Sequence, residues 1–209
     1  FIGGHHKVQT TATYGNNAGE ALAKQWHDFI GFTPDNAGSD LGWISVNHEM
    51  VVANDSIGDG GGMSVFKVRR DPATDSLIIV DQTLSDGRQG KFCAVDFANT
   101  VGETGMNCGG ITSPDGRIWT AEEWWRGSNA NLADRDTGMF TIGTGTATSP
   151  VSEGFPAYDG QTIAKYENYN YMVEIDPREA KAIRKQYNWG RQAFEGGAVM
   201  PDNKTVYLG

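Results

Sequence analysis

Asn107-Cys108-Gly109-Gly110-Ile111-Thr112-Ser113-Pro114-Asp115-Gly116-Arg117-Ile118-Trp119-Thr120-Ala121-Glu122-Glu123 reads as one β-hairpin closed on a Pro-Asp-Gly turn. A thiol stands at one end of it and a pair of carboxylates at the other. Soft sulfur suits iron or zinc, whereas Glu oxygens suit calcium or magnesium. Both on one small element point to a mixed metal cluster. The competing explanation is a buried Cys in a Gly-rich turn beside two solvated Glu, since free Cys is commonly buried.

The hairpin has an echo. Cys108-Gly109-Gly110 followed by Pro114-Asp115 recurs at the same spacing as Glu195-Gly196-Gly197 followed by Pro201-Asp202, and an aromatic follows each (Trp119, Tyr207). The flanks match too, with 66–72 (FKVRRDP) resembling 172–177 (MVEIDP). Recurring hairpins of this kind are how propeller blades read in sequence, although Pro-Asp turns also join strands in other folds. If the copies are equivalent, Cys108 and Glu195 share one structural position. Each then precedes a Gly pair that lets backbones approach closely, and both converge on a central channel.

Elsewhere, residues 20–30 (EALAKQWHDFI) carry Leu22, Trp26, Phe29 and Ile30 near helical spacing, and Gly31 is a plausible stop. The stretch 42–50 alternates as a strand, and 63–68 and 76–81 flank a turn at 71–75. Residues 55–62 form a Gly-rich loop with too few spaced oxygens for an EF-hand. Residues 171–175 are a strand, 178–182 a helical or turn segment, and 183–189 a further strand. The expected organisation is one all-β domain over 1–209 with one or two short helices. It has an irregular or helical lead-in over 1–41 and a long insertion or lid over 126–168, because structureless stretches of that length are usually functional.

Composition narrows the partners. A net charge of -9 argues against a nucleic-acid backbone, which requires clustered Lys and Arg. With 38% hydrophobic and 21% charged residues, the chain holds no run of about 18 apolar residues that would span a bilayer. The 28 Gly fit many turns and short strands. The start at Phe1 and the strand-like finish at 205–209 suggest a processed or incomplete chain.

Asn47-His48-Glu49, the hairpin from Cys108 to Glu123, 171–177 (YMVEIDP), Gly190-Arg191 and Phe194-Glu195-Gly196-Gly197 together resemble the PhoX-type alkaline phosphatases. The resemblance spans most of residues 42–209. It implies a six-bladed β-propeller of which this chain covers roughly half, so that a further chain or subunit would complete it. It also implies Fe(3+) and Ca(2+) as cofactors, phosphate esters as substrates, and a periplasmic or extracellular location. By position it assigns Cys108 and Glu49 to iron, Glu123 to calcium, and Glu122, Glu174 and Glu195 as further metal ligands. The family's Arg-Phe-x-His-Glu pattern appears here as Arg191-Gln192-Ala193-Phe194-Glu195, without the His.

Cations held by such ligands would neutralise the non-bridging oxygens of a phosphate ester and stabilise charge in the transition state. Arg191 and Arg126 are candidates for a bidentate phosphate clamp, against the alternative of ordinary surface arginines. His48 and Glu49 are neighbours on a strand and must point to opposite faces. Two rival functions are a non-catalytic propeller used for binding or assembly, and a calcium-dependent esterase or lactonase that needs no thiolate.

Overall fold

The computed structural model describes residues 7–10, 19–22, 26–36, 40–49, 61–97, 99–102, 104–123, 138–142 and 160–209. Their strands are β1 (Lys7–Thr10), β2 (Gly19–Leu22), β3 (His27–Pro34), β4 (Leu41–His48), β5 (Met63–Arg70), β6 (Leu77–Val80), β7 (Gln82–Thr83), β8 (Gln89–Gly90) and β9 (Phe92–Ala94). There follow β10 (Asn107–Thr112), β11 (Ile118–Glu122), β12 (Met139–Thr141), β13 (Thr162–Ala164), β14 (Met172–Asp176), β15 (Lys181–Lys185), β16 (Gly197–Val199) and β17 (Val206–Leu208). Helix among the described residues is limited to short 3-10 turns, as at Lys165–Asn168 and Tyr187–Trp189. The protein is all-β.

The first sheet runs β2-β1-β9-β5-β4-β3, and β6 and β9 share one edge of β5. Position in the sheet explains the patterning. Central β4 and β5 are buried along most of their length, whereas edge strand β3 alternates between exposed and buried residues beyond Phe29. The second sheet, β10-β11-β14-β15, is an antiparallel meander in chain order, the connectivity of a propeller blade.

One apolar cluster joins the two sheets. Trp43, Met63, Val65 and Val95 from the first side meet Ile118, Val173, Ile175 and Ala182 from the second. Each large aliphatic side chain there contributes about 1.5–3 kcal/mol on burial. Backbone bonds add a seam, with Asp96 N donating to Ala180 O and Ala182 N to Asp96 O. The buried Arg88 guanidinium staples it by donating to the carbonyls of Ala94, Glu179 and Ala180.

The helix expected over 20–30 does not form. Gly19–Leu22 and His27–Pro34 are strands, and between them Trp26 adopts φ 57°, a left-handed conformation that no right-handed helix can contain. Gly31 lies inside β3 rather than stopping a helix, and a Cβ there would come within 2.6 Å of Ile118 Cδ1 across the core. Residues 177–180 make a turn, and the strand expected over 183–189 is β15 followed by the 3-10 turn at Tyr187–Trp189. In the long insertion, β12 pairs with β13. The stretches 124–137 and 143–159, and the loop over 51–60, lie outside the described residues.

Candidate metal centre

The two glycine-paired segments of the repeat meet back to back. A Cβ on Gly109 would lie 1.2 Å from the Glu195 carbonyl oxygen, and one on Gly196 would touch the backbone of Gly110. At Gly109 only a residue without a side chain allows this approach. Phe29 covers the other flank, with its ring 2.7 Å from where a Cβ of Gly110 would stand. The segments carrying Asp28, Cys108 and Glu195 are thereby packed together.

Two β-bulges lie where the strands cross this region. In β3 against β4 the register passes from His27↔His48 to Ile30↔Val46, so Asp28 and Phe29 oppose Asn47 alone. In β10 against β11 it passes from Asn107↔Glu122 to Gly110↔Thr120, so Cys108 and Gly109 oppose Ala121 alone. A bulge re-aims side chains and is common beside functional sites. Here each bulge carries a chemically active residue.

The result is a cluster. Ligand atoms of Asp28, Glu49 and Cys108 lie within 4.8 Å of one another, and Cys108 Sγ donates to Asp28 Oδ2 at 2.9 Å. Glu123 lies close enough to Cys108 and Glu195 for both to perturb its carboxyl. Burial, then the Asp28 and Glu195 carboxylates, hold Glu49 above the usual carboxylate range. Glu123 is also raised, by burial and by Glu195 and Glu49, against a lowering contact from Cys108. Burial, then Asp28 and Glu123, push the Cys108 thiol up. The neighbours that perturb these groups are thus one another. Like charges gathered this closely oppose ionisation, and a bound cation reverses that logic. One sulfur with two carboxylates offers both soft and hard ligand atoms.

Support lies one residue back along the chain from each ligand. His48 is buried, and its Nε2 lies 2.8 Å from Ser64 Oγ. Glu122 is fully buried and accepts from Lys185 Nζ (2.8 Å), Thr104 Oγ1 (2.7 Å) and Tyr171 N (3.1 Å). Lys185 also donates to the Asn168 carbonyl and sits 5.2 Å from the Tyr169 ring centroid. Asn107 accepts from Gly62 N and donates to Thr104 and Thr120. Phe194 is fully buried, and its N–H donates to Glu122 O.

Of the residues singled out in sequence, the structure brings Glu49 and Cys108 within 4.8 Å of one another, with Glu123 and Glu195 near enough to perturb them. It places Glu122 inward in the Lys185 pair. Glu174 lies between Arg184 (2.8 Å) and Arg117 (4.0 Å), and burial raises its carboxyl despite both arginines. Arg191 donates to the carbonyls of Tyr169 and Tyr166, which occupies its guanidinium in holding the chain. Arg126 lies outside the described residues. Asp28, which sequence reasoning missed, completes the group.

Among the described residues, no helix is long and apolar enough to cross a membrane. Comparison with curated proteins and with solved structures returned no match. The profile of the family described as alkaline phosphatase PhoX matches residues 89–209, more than half of the sequence and the part that carries Cys108, Glu123 and Glu195. The chain belongs to the PhoX alkaline phosphatase family.

Proposed function

We propose that this protein hydrolyses phosphate esters with a mixed iron and calcium cluster held by Asp28, Glu49, Cys108, Glu123 and Glu195. The observation that carries the reading is the convergence of one thiol and two carboxylates within 4.8 Å, with Glu123 and Glu195 close enough to perturb them electrostatically, in a chain of a metal-dependent phosphatase family. Bound cations would supply Lewis acidity and neutralise the phosphate oxygens.

The protein's own part is to keep the ligands crowded despite their repulsion. Glycine contacts, bulges and the buried row beneath them do so. Cys108 and Glu49 suit iron, and the outer carboxylates Glu123 and Glu195 suit calcium. Glu122 and Glu174 support the sheet instead of binding metal, and Arg191 anchors the 190–196 segment. The six-bladed propeller, the further chain that completes it, and placement in the periplasm or outside the cell belong to the same proposal and rest on family membership.

The test is hydrolysis of an aryl phosphate monoester by the native polypeptide carrying this sequence, stripped of metal and then reloaded. Activity should need both iron and calcium and disappear in Cys108→Ala. Activity with calcium alone on carboxylic esters, unaffected by Cys108→Ala, would replace phosphatase with the esterase or lactonase reading. No metal uptake and no hydrolysis would leave a binding module.

A further inference from the structure

Asn47 is fully buried on β4, and both of its side-chain amide hydrogens are directed at one feature, the bulge that carries Cys108. Its Nδ2 donates to Cys108 O at 2.7 Å and to Gly109 O at 2.8 Å. The extra residue in β10 takes these carbonyls out of regular pairing with β11. Two neighbouring acceptors can be matched only by the NH2 end of an amide, so the chemistry fixes the orientation of the side chain. Asn47 Oδ1 has no hydrogen-bond partner among the described residues, so the contacts of this side chain are concentrated on the bulge.

Asn47 is also the single residue that faces the other bulge, at Asp28 and Phe29. It therefore sits between the two distortions that present Asp28 and Cys108 to each other. On the far side, the Cys108-Gly109 backbone is blocked by the Glu195 carbonyl. The bulge is held from both sides, by a polar clasp and by a steric wall.

We propose that Asn47 is a positioning residue that sets the aim of Cys108 by clasping both bulge carbonyls. The inference rests on the cation site proposed above in that Cys108 is one of its ligands. Without the two donors, β10 is free to redistribute the extra residue along its pairing with β11. Cys108 then leaves its contact with Asp28, and its sulfur becomes more accessible.

The test uses the metal-free native polypeptide, so that it does not depend on cation binding. Alkylation rates of both cysteines are followed by peptide mapping in wild type, Asn47→Ala and Asn47→Leu, the last keeping bulk while removing both donors. Fully buried Cys93 reports on the fold as a whole. Cys108 should react at least about threefold faster in both variants while Cys93 stays protected. An unchanged Cys108 rate overturns the proposal, and so does Cys93 becoming reactive in step with Cys108, because Asn47 would then only hold the fold.

If neither variant folds, wild-type side-chain amide exchange decides: both Asn47 Nδ2 protons should exchange slowly, and free-amide rates overturn the clasp. A second arm loads metal. Asn47→Leu should weaken iron about 10–100-fold and calcium far less, and the iron effect should vanish in a Cys108→Ala background. Equal loss of both metals counts against Asn47 acting through Cys108. Wild type that takes up no iron overturns the cation reading and leaves the alkylation result standing.

Discussion

Asp28, Glu49, Cys108, Glu123 and Glu195 each stand one residue past His27, His48, Asn107, Glu122 and Phe194, and the two rows have opposite environments. The first row is exposed or half-buried, and its Glu49, Cys108 and Glu123 are perturbed by burial and by neighbours in the same row. In the second, every residue but half-buried His27 is buried, and His48, Asn107 and Glu122 hydrogen-bond inward. Alternation at the ends of β4 and β11 separates Glu49 from His48 and Glu123 from Glu122, and the bulges in β3 and β10 re-aim Asp28 and Cys108. A site of mutually repelling groups is thus built on a layer whose own polar groups are largely satisfied. Stability and function fall on adjacent residues, and substitutions should separate them.

The largest effect should come from breaking the buried layer. Lys185→Met leaves the Glu122 carboxylate without its countercharge in a fully buried site, and should cost about 3–5 kcal/mol by chemical denaturation. A loss below about 1 kcal/mol would place Glu122 in the outer row. Next in size is the outer row itself. Cys108→Ala should lower phosphatase activity by at least about 100-fold, or about 2.7 kcal/mol of transition-state stabilisation, while the metal-free denaturation midpoint hardly moves.

A smaller effect is expected where the rows touch. Gly109→Ala forces a methyl against the Glu195 carbonyl and should cost about 1–3 kcal/mol, since backbone must shift. The smallest effect concerns pH. Glu49 and Glu123 titrate above their ordinary value of 4.5. Between that value and their raised ones, the folded metal-free protein holds protons that the unfolded chain has released. Its stability should therefore fall as pH rises through that window. Solvent screening keeps the change modest. Denaturation midpoints should show a shallower slope in a Glu49→Gln, Glu123→Gln double variant.

Much of the sheet structure could be read from alternation and turn chemistry, including the two Pro-Asp hairpins β10–β11 and β16–β17. Asp28 could not. Its window has apolar residues at helical spacing, and the left-handed Trp26 that forbids a helix leaves no trace in composition. A Trp is a costly residue to place at positive φ, so nothing in its identity signals the break.

The bulges at 28–29 and 108–109 defeat alternation in another way, because counting by twos fails across an extra residue. Glu122 and Glu123 show the same limit. Alternation says that one points in and one out, but the choice depends on Lys185, which lies 63 positions away in sequence. Glu174 looked like a ligand on resemblance alone. Its partners Arg117 and Arg184 come from the neighbouring strands β11–β14–β15 and their turn, and are recognisable only after the meander is assembled.

Anomalous diffraction from the metal-loaded protein, recorded at the iron edge, bears most directly on the account. A peak within bonding distance of both Cys108 Sγ and the Glu49 carboxylate, with Asp28 turned toward it, is the expected result. Iron bound elsewhere, or a map with no peak beside Cys108 in fully loaded and active protein, would contradict it.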